Sequence, residues 1–203
     1  GVEEIQKYAF YNCPALESVV IPKSVRFIRE YAFYNDVKLN SVDLENVESI
    51  GAHAFDGCKN LLSANLTKAY AVDREAFKNC ASLESLNLSA LRNTGDGAFR
   101  GTSGLTSVTL TGNTKLSKYM FAESGLNNVT IYNKGTVLPE YAFLNCKNLT
   151  SVTFSEDLVE IGTAAFKGCE KLNSVDFQKN VATISDFAFS GTAIASLTLP
   201  SGE

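Results

Sequence analysis

Nine phenylalanines mark a regular step along this 203-residue chain: Phe10, Phe33, Phe55, Phe77, Phe99, Phe121, Phe143, Phe166 and Phe189 follow one another at intervals of 22 or 23 residues. Alanine precedes eight of them, and Met120 the other. Further positions share the step. Five residues before the phenylalanine stands Ile5, Ile28, Ile50, Val72, Leu116, Leu138, Ile161 or Ile184, with Thr94 as the polar exception. Six residues after it comes Leu16, Leu39, Leu61, Leu83, Leu105, Leu149 or Leu172, and two repeats one residue shorter supply Leu126 and Ile194. Units of this length cannot bury an apolar face alone and must stack on their neighbours, so the chain has to be a solenoid.

After the leucine comes an alternating segment, as in Ser18-Val19-Val20-Ile21, Ser107-Val108-Thr109-Leu110 and Ser151-Val152-Thr153-Phe154. Alternation over about five residues is the pattern of a strand with one buried face. One strand per repeat cannot return by a hairpin; each rung must coil back so that equivalent strands lie side by side and parallel. Composition narrows the partners. Residues that are 45% hydrophobic supply a core, and 18 basic against 22 acidic side chains leave a net charge of −4. A mildly acidic chain without basic blocks suits neither nucleic acid nor an anionic membrane surface. Apolar runs as short as Ala69 to Val72 exclude direct membrane insertion as a spanning helix.

The spacing L-x-x-V/L-x-L/I resembles the strand core of a leucine-rich repeat. The fuller pattern, apolar-x-x-x-A-F-x-x-C-x-x-L-x-S-V-x-L/I-P, is similar to that of the BspA-like leucine-rich repeat family, whose Ala-Phe and Cys positions replace the usual second half of the repeat. Ile161-Gly162-Thr163-Ala164-Ala165-Phe166-Lys167-Gly168-Cys169-Glu170-Lys171-Leu172 carries it nearly intact, and the resemblance covers essentially all 203 residues. The fold expected is a single domain over residues 1–203: a right-handed α/β repeat solenoid of about nine rungs, with a parallel β-sheet on one face and short helical or 3₁₀ turns on the other. The resemblance implies a non-catalytic binding module of a secreted or cell-surface protein, an adhesin meeting host matrix or surface proteins, or a glycan. A structural spacer without a ligand of its own is the competing class.

The recurring positions read as structure before they read as chemistry. The phenylalanines are expected to stack as a buried ladder at the spacing of adjacent strands, about 5 Å. All five cysteines, Cys13, Cys58, Cys80, Cys146 and Cys169, fall three residues after a phenylalanine, where other repeats carry Asp36, Thr102, Ser124 and Thr192. Small, weakly polar residues at one position suggest buried free thiols facing backbone. Parallel Cβ vectors on successive rungs suit a disulfide badly, and no C-x-x-C is present. His53, the sole histidine, shares its position two before the phenylalanine with Tyr8, Tyr31, Glu75, Gly97, Tyr119, Tyr141, Ala164 and Phe187. A position so tolerant belongs on an outer ridge. With one histidine, no G-x-S-x-G and no phosphate-cradling glycine loop, neither catalysis nor a cofactor nor a metal is expected.

Two surfaces are left as candidates for a partner. The outward column of the strands reads Val20, Asp43, Asn65, Asn87, Thr109, Thr130, Thr153, Asp176 and Thr198, flanked by a ladder of serines. These side chains are small and polar, without the aromatic and arginine anchors of tight interfaces. The aromatic residues lie elsewhere: Tyr8, Tyr11, Tyr31 and Tyr34 occupy equivalent positions in the first two repeats and should cluster on one ridge, which Tyr119 and Tyr141 extend.

Departures from the repeat gather in one place. Thr94, Thr102, Met120, Ser124 and the early Leu126 fall in adjacent rungs, and an array held by nearest-neighbour contacts should be irregular there, between about residues 92 and 128. The sequence also opens on a rung approaching its turn, Gly1-Val2-Glu3-Glu4-Ile5, with no preceding strand. It closes at Leu197-Thr198-Leu199-Pro200-Ser201-Gly202-Glu203, which matches the strand exit Val19 to Val25. No capping repeat is visible at either end, so the chain is expected to be an excerpt of a longer array. The alternative is that its open rungs are covered by end-to-end self-association. Sedimentation checks this: a fragment monomeric at high concentration, from a reading frame no longer than itself and a signal peptide, contradicts both.

Overall fold

The computed structural model describes residues 1–112, 114–133, 136–154, 157–177 and 181–199. They form a parallel-strand β-solenoid of about seven turns. Two strand ladders run along it where one was expected. In the first, Glu4–Ile5, Phe27–Ile28, Ser49–Ile50, Ala71–Val72 and Asn93–Thr94 make a five-stranded sheet, and Thr136–Leu138, Leu158–Ile161 and Thr183–Ile184 a three-stranded one. In the second, Ser18–Val19 pairs with Ser41–Val42 and Ser63–Ala64 with Ser85–Leu86, before Ser107–Gly112, Asn128–Asn133, Ser151–Phe154 and Ser174–Asp176 form a four-stranded sheet. Among the described residues all pairings are parallel and, apart from Thr136 with Leu158, join equivalent positions of successive repeats, such as Ile28 with Ile50 and Thr109 with Thr130. The first ladder leaves no signature in the sequence because most of its strands are only two residues long. Its buried column (Ile5, Ile28, Ile50, Val72) is regular, but the residue beside it changes from Glu4 to Phe27, Ser49, Ala71 and Asn93. No alternation can be seen in two residues. Glu4–Ile5 is itself a strand, so the first rung does not lack one. Pro200 to Glu203 lie outside the described residues.

The expected helical face is absent among the described residues: the Ala-Phe segments are stacked turns. Hydrogen bonding gives the reason. The phenylalanine N–H donates to the residue before the next phenylalanine, from Phe10 to Ala32 O (2.7 Å), Phe55 to Ala76 O (2.8 Å), Phe99 to Met120 O (2.9 Å) and Phe166 to Ala188 O (2.8 Å). The residues two before and two after it do the same, as in His53 N to Arg74 O and Gly57 N to Lys78 O, both 2.9 Å. The amides between them close local four-residue turns, as in Ala54 N to Gly51 O and Asp56 N to His53 O. Half the amides are therefore committed sideways, and a helix, which needs them along its own axis, cannot form. The conformation this demands is left-handed at two positions per repeat. Among the described residues all positive-φ residues fall at one or the other: Tyr8, Tyr31, His53, Glu75, Gly97, Tyr119, Tyr141, Ala164 and Phe187 before the phenylalanine, and Asn12, Asn35, Gly57, Asn79, Gly101, Glu123, Asn145, Gly168 and Gly191 after it.

Behind the turns the nine phenylalanines form one file, with consecutive ring centroids 5.0 to 5.7 Å apart and planes within 12°. Phe33 through Phe166 are buried, while Phe10 and Phe189 at the two ends are only half-buried. The seven inner rings have a neighbour on both faces, in keeping with about seven turns; the count of nine rungs does not carry over. The irregular stretch takes a specific form. The first ladder narrows to a single bridge, Asn93 with Lys115, and a bulge follows at Thr136 and Val137. The polar substitutes are satisfied locally: Thr94 donates to Lys115 O (2.8 Å), Thr102 to Phe99 O (2.8 Å), and Ser124 Oγ lies 3.3 Å from Cys146 Sγ. Gly125 sits where the shortened rung presses on the backbone of Ser103, and no Cβ fits there.

All five cysteines are free, four of them buried and Cys13 partly so. The buried thiols donate to the phenylalanine carbonyl one rung back: Cys58 to Phe33 O (3.0 Å), Cys80 to Phe55 O (3.2 Å), Cys146 to Phe121 O and Cys169 to Phe143 O (both 3.1 Å). Burial pushes Cys58 up to about 12 and Cys80 well above the ordinary thiol value, so neither is a ready nucleophile or metal ligand. Asp36 occupies the same file, fully buried. Its Oδ1 accepts from Cys13 N (2.6 Å), and its Oδ2 has no hydrogen-bond partner.

Two predictions follow from this packing. Phe99→Ala removes a fully buried ring stacked on both sides, and should lower unfolding free energy by about 3–5 kcal/mol; Phe189→Ala, at the half-buried end, should cost distinctly less. Denaturant titration reads both. The Asp36 effect depends on pH. Burial raises its carboxyl from 3.8 to about 6, so between those values the folded state holds a proton the unfolded state has lost. Stability is then lost as pH rises through about 6. Asp36→Asn should match wild type near pH 4 and exceed it in denaturant midpoint near pH 7. A difference independent of pH would contradict the buried-charge reading.

Candidate functional site

The strand column lies where alternation put it. Asp43, Asn65, Asn87, Thr109 and Asp176 are exposed, Thr130 and Thr153 half-buried, and Val20 is 92% exposed. Register makes Thr109, Thr130, Thr153 and Asp176 lateral neighbours. Two shallow grooves cross this face. One of about 430 Å³ is lined by Val20, Ser41, Asp43, Ser63 and Asn65, and one of about 360 Å³ by Ser85, Asn87, Ser107, Thr109 and Thr111. Part of the polar chemistry is already used. Asp43 Oδ1 accepts from Glu45 N (3.0 Å) and Asn87 Oδ1 from Ser89 N (3.1 Å), each holding the turn that leaves its strand.

The four N-terminal tyrosines come together on the turn ridge. Tyr8 stacks on Tyr31 (5.2 Å) and Tyr11 on Tyr34 (5.1 Å), while Tyr8 meets Tyr11 edge-on at 5.5 Å. Tyr8 and Tyr11 are about half exposed, the inner pair less so. Backbone hydrogen bonds between the stacked turns, Tyr8 N to Glu30 O (3.2 Å) and Asn12 N to Tyr34 O (2.7 Å), set the ring spacing at the rung repeat. Lys7 Nζ lies 5.1 Å from the Tyr8 ring centre and pairs with Glu30 at 2.7 Å. That hydrogen bond holds the Glu30 carboxyl below its usual range. Tyr119 and Tyr141 stack farther along, at 4.7 Å. Most ion pairs, among them Arg100–Glu123, Lys118–Glu140 and Lys147–Glu170, likewise join adjacent rungs.

Two features were not singled out from the sequence. A groove of about 580 Å³ runs beside the first strand ladder, lined by Arg29, Ser49, Gly51, Asp73, Thr94 and Gly95 among others. A Cβ at Gly51 or Gly95 would strike the backbone of the rung before it, which keeps the groove floor flat. It was missed together with its ladder. The second is a cluster in the third and fourth repeats. His53 Nδ1 lies 3.0 Å from Asp56 Oδ2 and 3.5 Å from Glu75 Oε2, and Lys78 Nζ 2.7 Å from the same Glu75 oxygen. His53 is on the ridge as expected, yet its side chain is only 13% exposed, because it stacks on Tyr31 at 4.7 Å. Burial raises the Asp56 carboxyl against the opposing pull of the His53 hydrogen bond. The signal was available: the period puts His53 and Glu75 at the same position of consecutive rungs, with Asp56 three residues on.

No described helix is long and apolar enough to cross a membrane. The stacked parallel rungs define a leucine-rich repeat solenoid. The chain belongs to the BspA type leucine-rich repeat region family, whose model matches six copies over residues 3–124 and 94–203. Among solved structures it is similar to the leucine-rich repeat protein of T. pallidum, at 26% identity and a TM-score of 0.58, covering 83% of this chain and 72% of that one. It is similar also to the pneumococcal vaccine antigen PcpA (19%, TM-score 0.61, covering 94% and 65%). A third similar structure is a leucine-rich cell surface protein from Faecalibacterium prausnitzii A2-165 (22%, 0.56, 94% and 74%). No curated protein sequence matches.

Proposed function

We propose that this array is a non-catalytic protein-binding module of a secreted or cell-surface protein, engaging host matrix or surface proteins through its tyrosine ridge. The observation that carries the reading is the stacked quartet of Tyr8, Tyr11, Tyr31 and Tyr34. Its rings are held in place by one another, so a partner buries large amphipathic area at small entropic cost. Lys7 beside it supplies a cation within reach of a partner's acidic or aromatic side chain. The family and a similar structure described as a cell surface protein support the location. A solenoid edge offering one long flat surface suits macromolecules better than small ligands.

The strand strip is the second binding face, suited to a glycan or an extended polypeptide by its hydroxyls and carboxamides. The turn-holding roles of Asp43 and Asn87 favour the spacer reading for that face. The two faces separate in one experiment. Binding to immobilised host matrix proteins is measured for wild type, for a variant with all four tyrosines changed to serine, and for Asp43→Lys/Asn65→Lys/Asn87→Lys. Retention of the wild-type melting temperature is required of each. The tyrosine variant is expected to lose about 2 kcal/mol or more of binding, the range of aromatic hot spots. Binding unchanged in both variants would remove both faces, and no binding by the wild type would leave the spacer role.

A further inference from the structure

We propose that His53, Asp56 and Glu75 form a binding site for a divalent transition-metal ion of the zinc or cobalt class on the turn ridge. Their donor atoms already form a ligand triangle. His53 Nδ1 is 3.0 Å from Asp56 Oδ2 and 3.5 Å from Glu75 Oε2, and all three lie within 4.8 Å of one another. Metal–nitrogen and metal–oxygen bonds of about 2.0–2.2 Å put tetrahedral neighbours roughly 3.4 Å apart, so an ion is accommodated with small side-chain adjustments. One imidazole and two carboxylates form a borderline-to-hard donor set suited to such ions, with a further position left for water or a partner's side chain.

The backbone and surroundings hold this triangle in place. His53 and Glu75 are both left-handed (φ 55° and 52°) and take the same position in adjacent rungs, while Asp56 closes the His53 turn through its N–H to His53 O. The Tyr31 ring, stacked at 4.7 Å and 8°, fixes the plane of the imidazole. The side chains of His53, Asp56 and Glu75 are 13%, 10% and 24% exposed, which sets this cluster apart from scattered surface acids. Lys78, on Glu75 at 2.7 Å, is the built-in competitor: its ammonium neutralises the carboxylate that the ion must take. The inference does not depend on the adhesive reading, since the tyrosine ridge binds or fails to bind a protein by other atoms.

The test uses the full chain with Zn²⁺ and Co²⁺ as probes. His53 is the sole histidine, so its imidazole ¹⁵N resonances are unambiguous, and Zn²⁺ should shift Nδ1 with saturation at one equivalent. His53→Ala and Asp56→Asn should each weaken Zn²⁺ binding in calorimetry by at least about tenfold, a loss that follows even from removing a residue that only hydrogen-bonds to a metal ligand. Lys78→Gln should tighten it. Co²⁺ should give visible absorption without a thiolate charge-transfer band. An imidazole signal indifferent to Zn²⁺ would overturn the proposal, as would binding that survives both ligand substitutions or is weakened by Lys78→Gln. A thiolate band would overturn it too, placing the ion on a cysteine such as Cys13. Failure of adhesion with intact metal uptake would count against the tyrosine ridge alone.

Discussion

The hydrogen bond from each phenylalanine amide to the carbonyl before the next phenylalanine is the contact on which the rest of this solenoid depends. It repeats from Phe10–Ala32 to Phe166–Ala188 and continues through Phe99–Met120, where other features falter. Together with its companions two residues on either side, it turns the Ala-Phe segment into a third ladder beside the two strand ladders. It also brings the aromatic rings into register at 5.0 to 5.7 Å. A stack held by side chains alone would tolerate slippage; one whose backbone groups must each find the next rung does not, because an unpaired buried amide is costly. This explains how the chain accepts Thr94, Thr102 and Ser124. Each hydroxyl finds a nearby acceptor or thiol while the turn ladder runs on unbroken; beside it the first strand ladder narrows to one bridge and the second is interrupted between Ser85–Leu86 and Ser107–Gly112.

How much of this could be read beforehand depended on whether a side chain or the backbone carried the information. The phenylalanine file, the thiol file and the strand column were legible because each repeats a side-chain type at a fixed step. The turn conformation was half legible. Asn12, Asn35, Gly57, Asn79, Gly101, Asn145, Gly168 and Gly191 are residues that take a left-handed backbone readily. The other left-handed position holds Tyr8, His53, Glu75, Ala164 and Phe187, which announce nothing of the kind. There the conformation is imposed by neighbouring rungs, not by propensity, and a helical turn was the natural but mistaken expectation. The first strand ladder was hidden for a related reason. Strands of two residues carry one apolar column and no alternation, so their pairing exists only once the rungs are stacked.

The candidate sites divide along the same line. The tyrosine quartet was visible as equivalent positions in two repeats, and the stacking adds the geometry that makes it a preorganised surface. The strand strip was visible as a column, but the use of Asp43 and Asn87 oxygens in their own turns was not, since that depends on how the chain leaves the strand. The His53 cluster was lost among a tolerant list of residues at one position. Tolerance along a whole array says little about any one rung, because a functional group needs only two adjacent rungs to differ from the rest.

A solenoid acquires specificity through such local differences between rungs. Each rung is fixed to its neighbours by backbone contacts and the buried file, so the side chains flanking the Ala-Phe pair on the ridge are left to vary. Substituting them changes the surface without changing the spacing. Along this ridge the pair of positions flanking each Ala-Phe runs from Tyr8/Tyr11 and Tyr31/Tyr34 through His53/Asp56 and Glu75/Lys78 to Gly97/Arg100, and each pair stands about 5 Å from the next. Aromatic pairs at that distance stack, opposite charges pair, and an imidazole beside two carboxylates makes a ligand triangle. The chemistry differs from rung to rung while the geometry does not, and that invariance lets side chains 22 residues apart in sequence act as one site.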